Sequence, residues 1–187
     1  MKKFFTLLLI LSISCIFLSS CDDIIDDDSF NERYDTVDFP VGENKLTVDV
    51  IGNTTFDAVL NSVKNEDIRY ALNSIHPKSS ILVYNDELNL CHFHFDELEK
   101  LNRMYIWTSD YATSKGISVG MTVAEMREAY GGPNRIEKVH TPGEDIDLDD
   151  WTYIYGNLTF TSMHNTKTQE DLPIYVISYL SNEFLQE

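Results

Sequence analysis

The chain has 187 residues, with 31 acidic against 14 basic side chains and a net charge of −17. Nucleic acid is held by lysines and arginines on phosphate, so this balance excludes it as a partner. The length suits one domain with a real core.

Met1-Lys2-Lys3 is a short positive start, and an apolar run follows from Phe4 to Leu18. That run has the length of a signal-peptide core and falls short of the ~20 residues a spanning helix needs. Ser19 and Ser20 then lead into Cys21, with Leu18 three residues before it. The order of charge, apolar run, small residues and cysteine resembles the lipobox of bacterial lipoproteins. The alternative is an ordinary secretory signal cut near Ser20, which would leave Cys21 free. Cys15 is a poor rival for the anchor, since Ser12 rather than an aliphatic residue stands three before it. The resemblance implies cleavage before Cys21, a diacylglycerol thioether on its sulfur and an acylated amino terminus. Several acyl chains, at about 0.8 kcal/mol per buried CH₂, would hold the chain to a membrane permanently.

Asp22, Asp23, Asp26, Asp27 and Asp28 follow the cysteine at once. Anionic lipid repels them, so they keep a tether off the membrane surface. The cluster also resembles the export signal of surface lipoproteins in Bacteroidetes, which implies the outer membrane, facing outwards; the alternative is a periplasm-facing anchor. Removing residues 1–20, which hold two lysines and no acid, leaves 12 basic and 31 acidic residues, a net charge of −19. With Cys21 lipidated, Cys91 has no partner for an intramolecular disulfide, and the core alone must hold the fold.

Residues 21–43 read as an acidic, disordered tether, and residues 44–187 as a single α+β domain. Leu46, Val48 and Val50 alternate with polar residues, the period of a half-buried strand. Phe56, Val59, Leu60 and Val63 then line one face of a short helix, with Thr54 and Asp57 placed to cap it. Two strands are predicted around Asn85-Asp86-Glu87, and another over the residues after the charged turn 96–100. Gly156-Asn157 is a two-residue hairpin signal between two further strands, and a last strand runs through "PIYVISYL". Strands outnumber helices and the turns are short, which predicts an antiparallel meander with two or so short capped helices.

The most informative internal stretch is "SKGISVGMTVAEMREAYGGPNRIE", Ser114 to Glu137. Thr122 and Glu125 form a capping box, and Val123, Met126 and Tyr130 share one helix face. Gly131 or Gly132 supplies the left-handed residue after the helix, and Pro133 stops it. Val119-Gly120-Met121-Thr122 and Tyr130-Gly131-Gly132-Pro133 resemble a motif of small outer-membrane lipoproteins of SmpA/OmlA (BamE) type. The second glycine departs from the usual single Gly-Pro. That resemblance implies a small α+β fold and a role in assembling outer-membrane proteins. The wording around the motif is also similar to uncharacterised Bacteroidetes lipoproteins. Gly52-Asn53-Thr54 with Asp57 echoes Gly120-Met121-Thr122 with Glu125, 68 residues on, and suggests a duplicated helix-plus-strands unit.

Candidate chemistry is sparse. On a strand, His92 and His94 share one face and Cys91, Phe93 and Phe95 the other. Two histidines are half of a zinc or copper site, with no third ligand nearby in sequence. Asp145, Asp147 and Asp149 alternate like the start of a calcium loop, but Asp150 and Gly156 stand where that loop needs Gly and Glu. His76, His140 and His164 are scattered. The sequons at Asn53 and Asn157 are discounted in a bacterial lipoprotein. Ten Tyr and ten Phe suit a core or an aromatic ligand patch. No nucleophile elbow, P-loop or HExxH is present.

The expectation is therefore a non-enzymatic binding or assembly module at the outer membrane, with no catalytic residue, no metal ligand and no cofactor assigned. Its partners are the membrane, through the anchor at Cys21, and a protein or a glycan. The alternatives are a metal-assisted hydrolase using His92 and His94, and an assembly factor.

Overall fold

The computed structural model describes residues 36–41, 44–49, 53–65, 68–86, 88–141, 148–165 and 170–181. The signal segment, Cys21 and its aspartates lie outside them, as does most of the expected tether. At Thr36 that expectation gives way: β1 (Thr36–Val41) pairs antiparallel with β2 (Asn44–Asp49). Val37 and Phe39 on one strand face inward with Leu46 and Val48 on the other, and all four are buried. The acidic character of Asp35 and Asp38 masks a period-two pattern that only its hairpin partner makes plain.

The body is an eight-stranded sheet in the order β3-β4-β5-β6-β10-β9-β8-β7, antiparallel throughout. It consists of two units of one helix followed by a four-stranded meander. The first is α1 (Phe56–Asn65), β3 (Tyr70–Leu72), β4 (Ser80–Tyr84), β5 (Asn89–Phe95) and β6 (Leu101–Ile106). The second is α2 (Val123–Tyr130), β7 (Arg135–Thr141), β8 (Leu148–Tyr155), β9 (Leu158–Asn165) and β10 (Glu170–Leu180). The last strands of the two units, β6 and β10, lie side by side.

Register makes the repeat quantitative. Thr55, Phe56, Val59 and Val63 correspond to Thr122, Val123, Met126 and Tyr130, a constant offset of 67. The amide of Val59 donates to the Thr55 carbonyl at 3.2 Å, and that of Met126 to the Thr122 carbonyl at 3.1 Å. Before each helix a carbonyl accepts from the unit's last strand: Thr54 from Leu101, the first residue of β6, and Met121 from Ile174, within β10, each at 2.8 Å. Within the strands, Phe93 opposes Met104 as Phe160 opposes Ile177. Across the seam, Ile106 pairs with Ile177 and Met104 with Tyr179. Exchanging each residue for its counterpart returns the same set of pairs, so a pseudo-two-fold axis passes beside Tyr105 and Ser178.

The first helix is capped one residue later than its sequence suggests. Thr55, not Thr54, offers its hydroxyl to the amide three residues on, Ala58, at 3.3 Å. The Thr54 hydroxyl instead accepts from the Asp49 amide at 2.7 Å and ties β2 to the helix start. The motif helix α2 follows its reading closely. Thr122 Oγ1 accepts from the Glu125 amide at 3.2 Å, and the Glu125 carboxylate accepts from the Thr122 amide at 2.8 Å. Gly131 takes the stop position, at φ 78 and ψ −153, where a side chain is strained. Gly156, with φ 59, makes the two-residue β8–β9 turn, and Pro173 sits at a register shift of β10 where no ladder amide is lost.

Both helices and the hairpin cover the same face of the sheet. Phe56 packs on Phe95, Tyr130 on Phe160, and Phe39 edge-on to Phe93, with ring centroids 5.3, 5.1 and 6.1 Å apart. Cys91, Phe93, Met104, Ile106, Leu158, Phe160 and Ile177 are fully buried between them. Burying side chains of this size contributes roughly 1.5–3 kcal/mol each, so this layer dominates the stability.

Candidate functional site

The opposite face of the sheet carries neither helix nor hairpin among the described residues. Register lays out its side chains. One row runs His92, Tyr105, Ser178, Thr159, Ile154, Arg135, each opposite the next on the neighbouring strand. Beside it lie His94, Arg103 and Leu180 on one flank. Thr161, Thr152 and Glu137 lie on the other.

A cavity of about 430 Å³ opens over the second unit's half of this face. Its walls include Arg103, Tyr105, Arg135, Thr159, Thr161 and Ser178. A second hollow of about 320 Å³ lies on the other side of Arg103 and contains His92, His94, Asn73 and Asn102. Arg103 thus separates the two, with its guanidinium donating to the Tyr105 hydroxyl at 2.7 Å. Tyr105 and Trp107 run nearly parallel, with centroids 6.0 Å apart and 16° between planes. Arg135 pairs with Glu137 at 2.7 Å on the rim.

His92 and His94 sit as the alternation predicts, half-buried on the open face while Cys91, Phe93 and Phe95 enter the core. Their rings are 3.9 Å apart, and His92 Nδ1 lies 3.1 Å from His94 Nε2. Burial lowers both pKa values. That of His94 falls to about 4, with the His92 and Arg103 charges adding to the effect. Both rings are therefore neutral near pH 7. Burial pushes the Cys91 thiol well up, so it stays protonated and inert in the core.

The remaining candidates separate. Asp145 and Asp147 lie outside the described residues. Asp149 and Asp150 stand on β8 and point to opposite faces, Asp149 to His140 Nδ1 at 2.6 Å and Asp150 to the Tyr175 hydroxyl at 3.0 Å. They do not converge on one ion. His164 faces Asp171 at 2.8 Å, and His76 is exposed in the β3–β4 loop. Among the described residues, no group of three His, Cys, Asp or Glu side chains converges on one point. No helix among them is long and apolar enough to cross a membrane, which says nothing of strands.

Arg103, Tyr105, Trp107, Arg135 and Asn102 drew no attention in the sequence. The alternation Arg103-Tyr105-Trp107 was visible there. Its meeting with His92 and Ser178 depends on a register that sequence does not carry.

No family model and no curated protein matches this chain. Among solved structures it is similar to the uncharacterized protein yfeY from Escherichia coli. The identity is 10% over 68% of this chain and 90% of that one, with a TM-score of 0.45. It is also similar to YjgB, a DUF4309 family protein from Bacillus subtilis, at 13% identity over 62% of this chain and 66% of that one, with a TM-score of 0.31. Likenesses this distant say nothing about activity.

Proposed function

We propose that this chain is a lipid-anchored binding module of the outer membrane. Cys21 holds it to the lipid, and the open sheet face is offered to a protein or glycan partner. One observation carries the reading. Where the two units correspond, core positions stay apolar, but open-face positions change character. His92, His94, Arg103, Tyr105 and Trp107 stand where the second unit has Thr159, Thr161, Val176, Ser178 and Leu180. The fold is therefore satisfied by small and aliphatic residues there. Aromatic rings and arginine at such positions are the side chains enriched where proteins bind partners.

Two experiments test it. Cys21→Ala should move the protein from the membrane pellet to the soluble fraction; a variant that still sediments with membranes removes the anchor from the reading. Photo-crosslinkers placed at Tyr105 or Trp107 in cells, or a glycan array probed with the purified chain, should report one partner. That signal should vanish in Tyr105→Ser with Trp107→Leu, whose replacements come from the second unit. Crosslinks equally strong from Glu128, on the exposed side of α2, would sink the open face as the binding surface. Crosslinks to an outer-membrane insertion complex would make the partner one of assembly, as the SmpA/OmlA resemblance implies.

A further inference from the structure

We infer that His92 and His94 form a bidentate chelate for a late first-row divalent metal ion, copper(II) most tightly. Successive odd or even residues of a strand face the same way, so the two imidazoles stand side by side on the open face. His92 Nδ1 and His94 Nε2 are 3.1 Å apart. With metal–nitrogen bonds of about 2.0–2.1 Å, two cis nitrogens lie about 2.9 Å apart at a right angle and about 3.3 Å at the tetrahedral angle. The observed nitrogen spacing falls between them, and the rings, now 3.9 Å apart between centroids, turn and part to bring both lone pairs onto the ion. In the metal-free chain one nitrogen donates a hydrogen bond to the other. On binding, both turn lone pairs to the ion while the protons sit on His92 Nε2 and His94 Nδ1.

The hollow around the pair supplies a second observation. Asn73 is engaged with the amides of Ile75 and His76, and Ser79 with the His76 carbonyl. Asn102 Oδ1 is buried in the wall of the same hollow and has no hydrogen-bond partner among the described residues. An oxygen in that position suits an ion or an ion-bound water, which replaces the missing donor. Two imidazoles favour copper over zinc by the usual order of stabilities and leave coordination positions open. Arg103 lines the same hollow and opposes a cation there, which weakens its binding. The second unit shows that the fold does not need these histidines, since Thr159 and Thr161 occupy their places.

The test uses the mature chain with copper(II) and zinc(II) salts, followed by calorimetry and by electron paramagnetic resonance of the copper form. One copper per chain is expected, with hyperfine coupling to two imidazole nitrogens and weaker zinc binding. His92→Thr and His94→Thr should each weaken copper at least ten-fold while the melting temperature holds. His140→Thr and His164→Thr should bind like the parent. In the unaltered chain, copper should broaden the ring signals of His92 and His94 first. Broadening of other histidines first, or full affinity in both threonine variants, would overturn the assignment. The titration needs no partner, so its failure leaves the binding-module reading standing, and the reverse holds too.

Discussion

The two helix-plus-meander units share one plan and differ in how firmly their local structure is marked. In the second, Thr122 and Glu125 satisfy each other's backbone amides, Gly131 ends the helix, and β7 is seven residues long. In the first, Thr55 caps alone at 3.3 Å because Ala58 stands where Glu125 would be, and β3 is three residues long at the sheet edge. Their buried positions nevertheless match: Phe93 with Phe160, Cys91 with Leu158, Met104 with Ile177. Core identity follows from topology, because each inward position meets the same neighbours in both units. Capping strength and the open face are under no such constraint, and there the units part.

The largest test of this symmetry lies at the seam. Met104 and Ile177 are counterparts, and both are fully buried. Met104→Ala and Ile177→Ala should each cost roughly 2–5 kcal/mol, the ordinary range for a large-to-alanine cavity. The two losses should be similar, and the double variant should depart from their sum, because the residues are diagonal neighbours across β6 and β10. Urea unfolding measures this. If Met104→Ala split the curve into two steps, the units would be separate cooperative bodies and the continuous sheet would not unite them.

Next in size is the helix stop that only the second unit possesses. Gly131 has φ 78 and Gly132 has no positive φ. Gly131→Val forces a side chain into a region almost reserved for glycine, at a cost of order 1–3 kcal/mol. Gly132→Val escapes that strain. Melting curves should therefore separate two neighbouring glycines that look interchangeable in sequence, and equal midpoints would remove Gly131 as the stop. Thr122→Ala should lose about 1 kcal/mol of capping, and Thr55→Ala less, since its single bond is longer and unreciprocated.

Much of this was legible beforehand, for a physical reason. Capping, helix stops and two-residue turns are decided by neighbours in sequence, so α2 and the Gly156-Asn157 turn could be read directly. Alternation likewise separated Cys91, Phe93 and Phe95 from His92 and His94. Two neighbouring threonines defeated the α1 cap, because Thr54 and Thr55 are equally good caps until Asp49 claims one of them. The hairpin β1–β2 was hidden for another reason: Val37 and Phe39 become a strand only against Leu46 and Val48. The open face was the least legible part. Its rows join residues more than 60 apart, such as Tyr105 and Ser178, and only strand register sets those meetings. For the same reason His140 and His164 could not be matched in advance to Asp149 and Asp171.

The smallest expected effect is also the one that most sharpens the comparison, because it depends on pH in one unit and not in the other. The Glu125 carboxylate accepts from the Thr122 amide and hydroxyl, each at 2.8 Å. The amide bond, followed by the hydroxyl, lowers its pKa below the ordinary 4.5. A carboxyl group with a lowered folded pKa stabilises the fold above its unfolded pKa. That contribution is lost as pH falls through the folded value. The parent should therefore lose this part of its stability only below pH 4.5. Glu125→Gln keeps an acceptor oxygen but no charge, so the gap between parent and variant should be open at pH 7 and closed in strong acid. The first unit, with Ala58 at that place, has no such term. Ala58→Glu, on an exposed site, should install one and give α1 the reciprocal cap it lacks. Urea midpoints of parent, Glu125→Gln and Ala58→Glu across that range would decide it. If Ala58→Glu gave no gain at pH 7, the difference between the two helix starts would lie in their backbones rather than in one carboxylate.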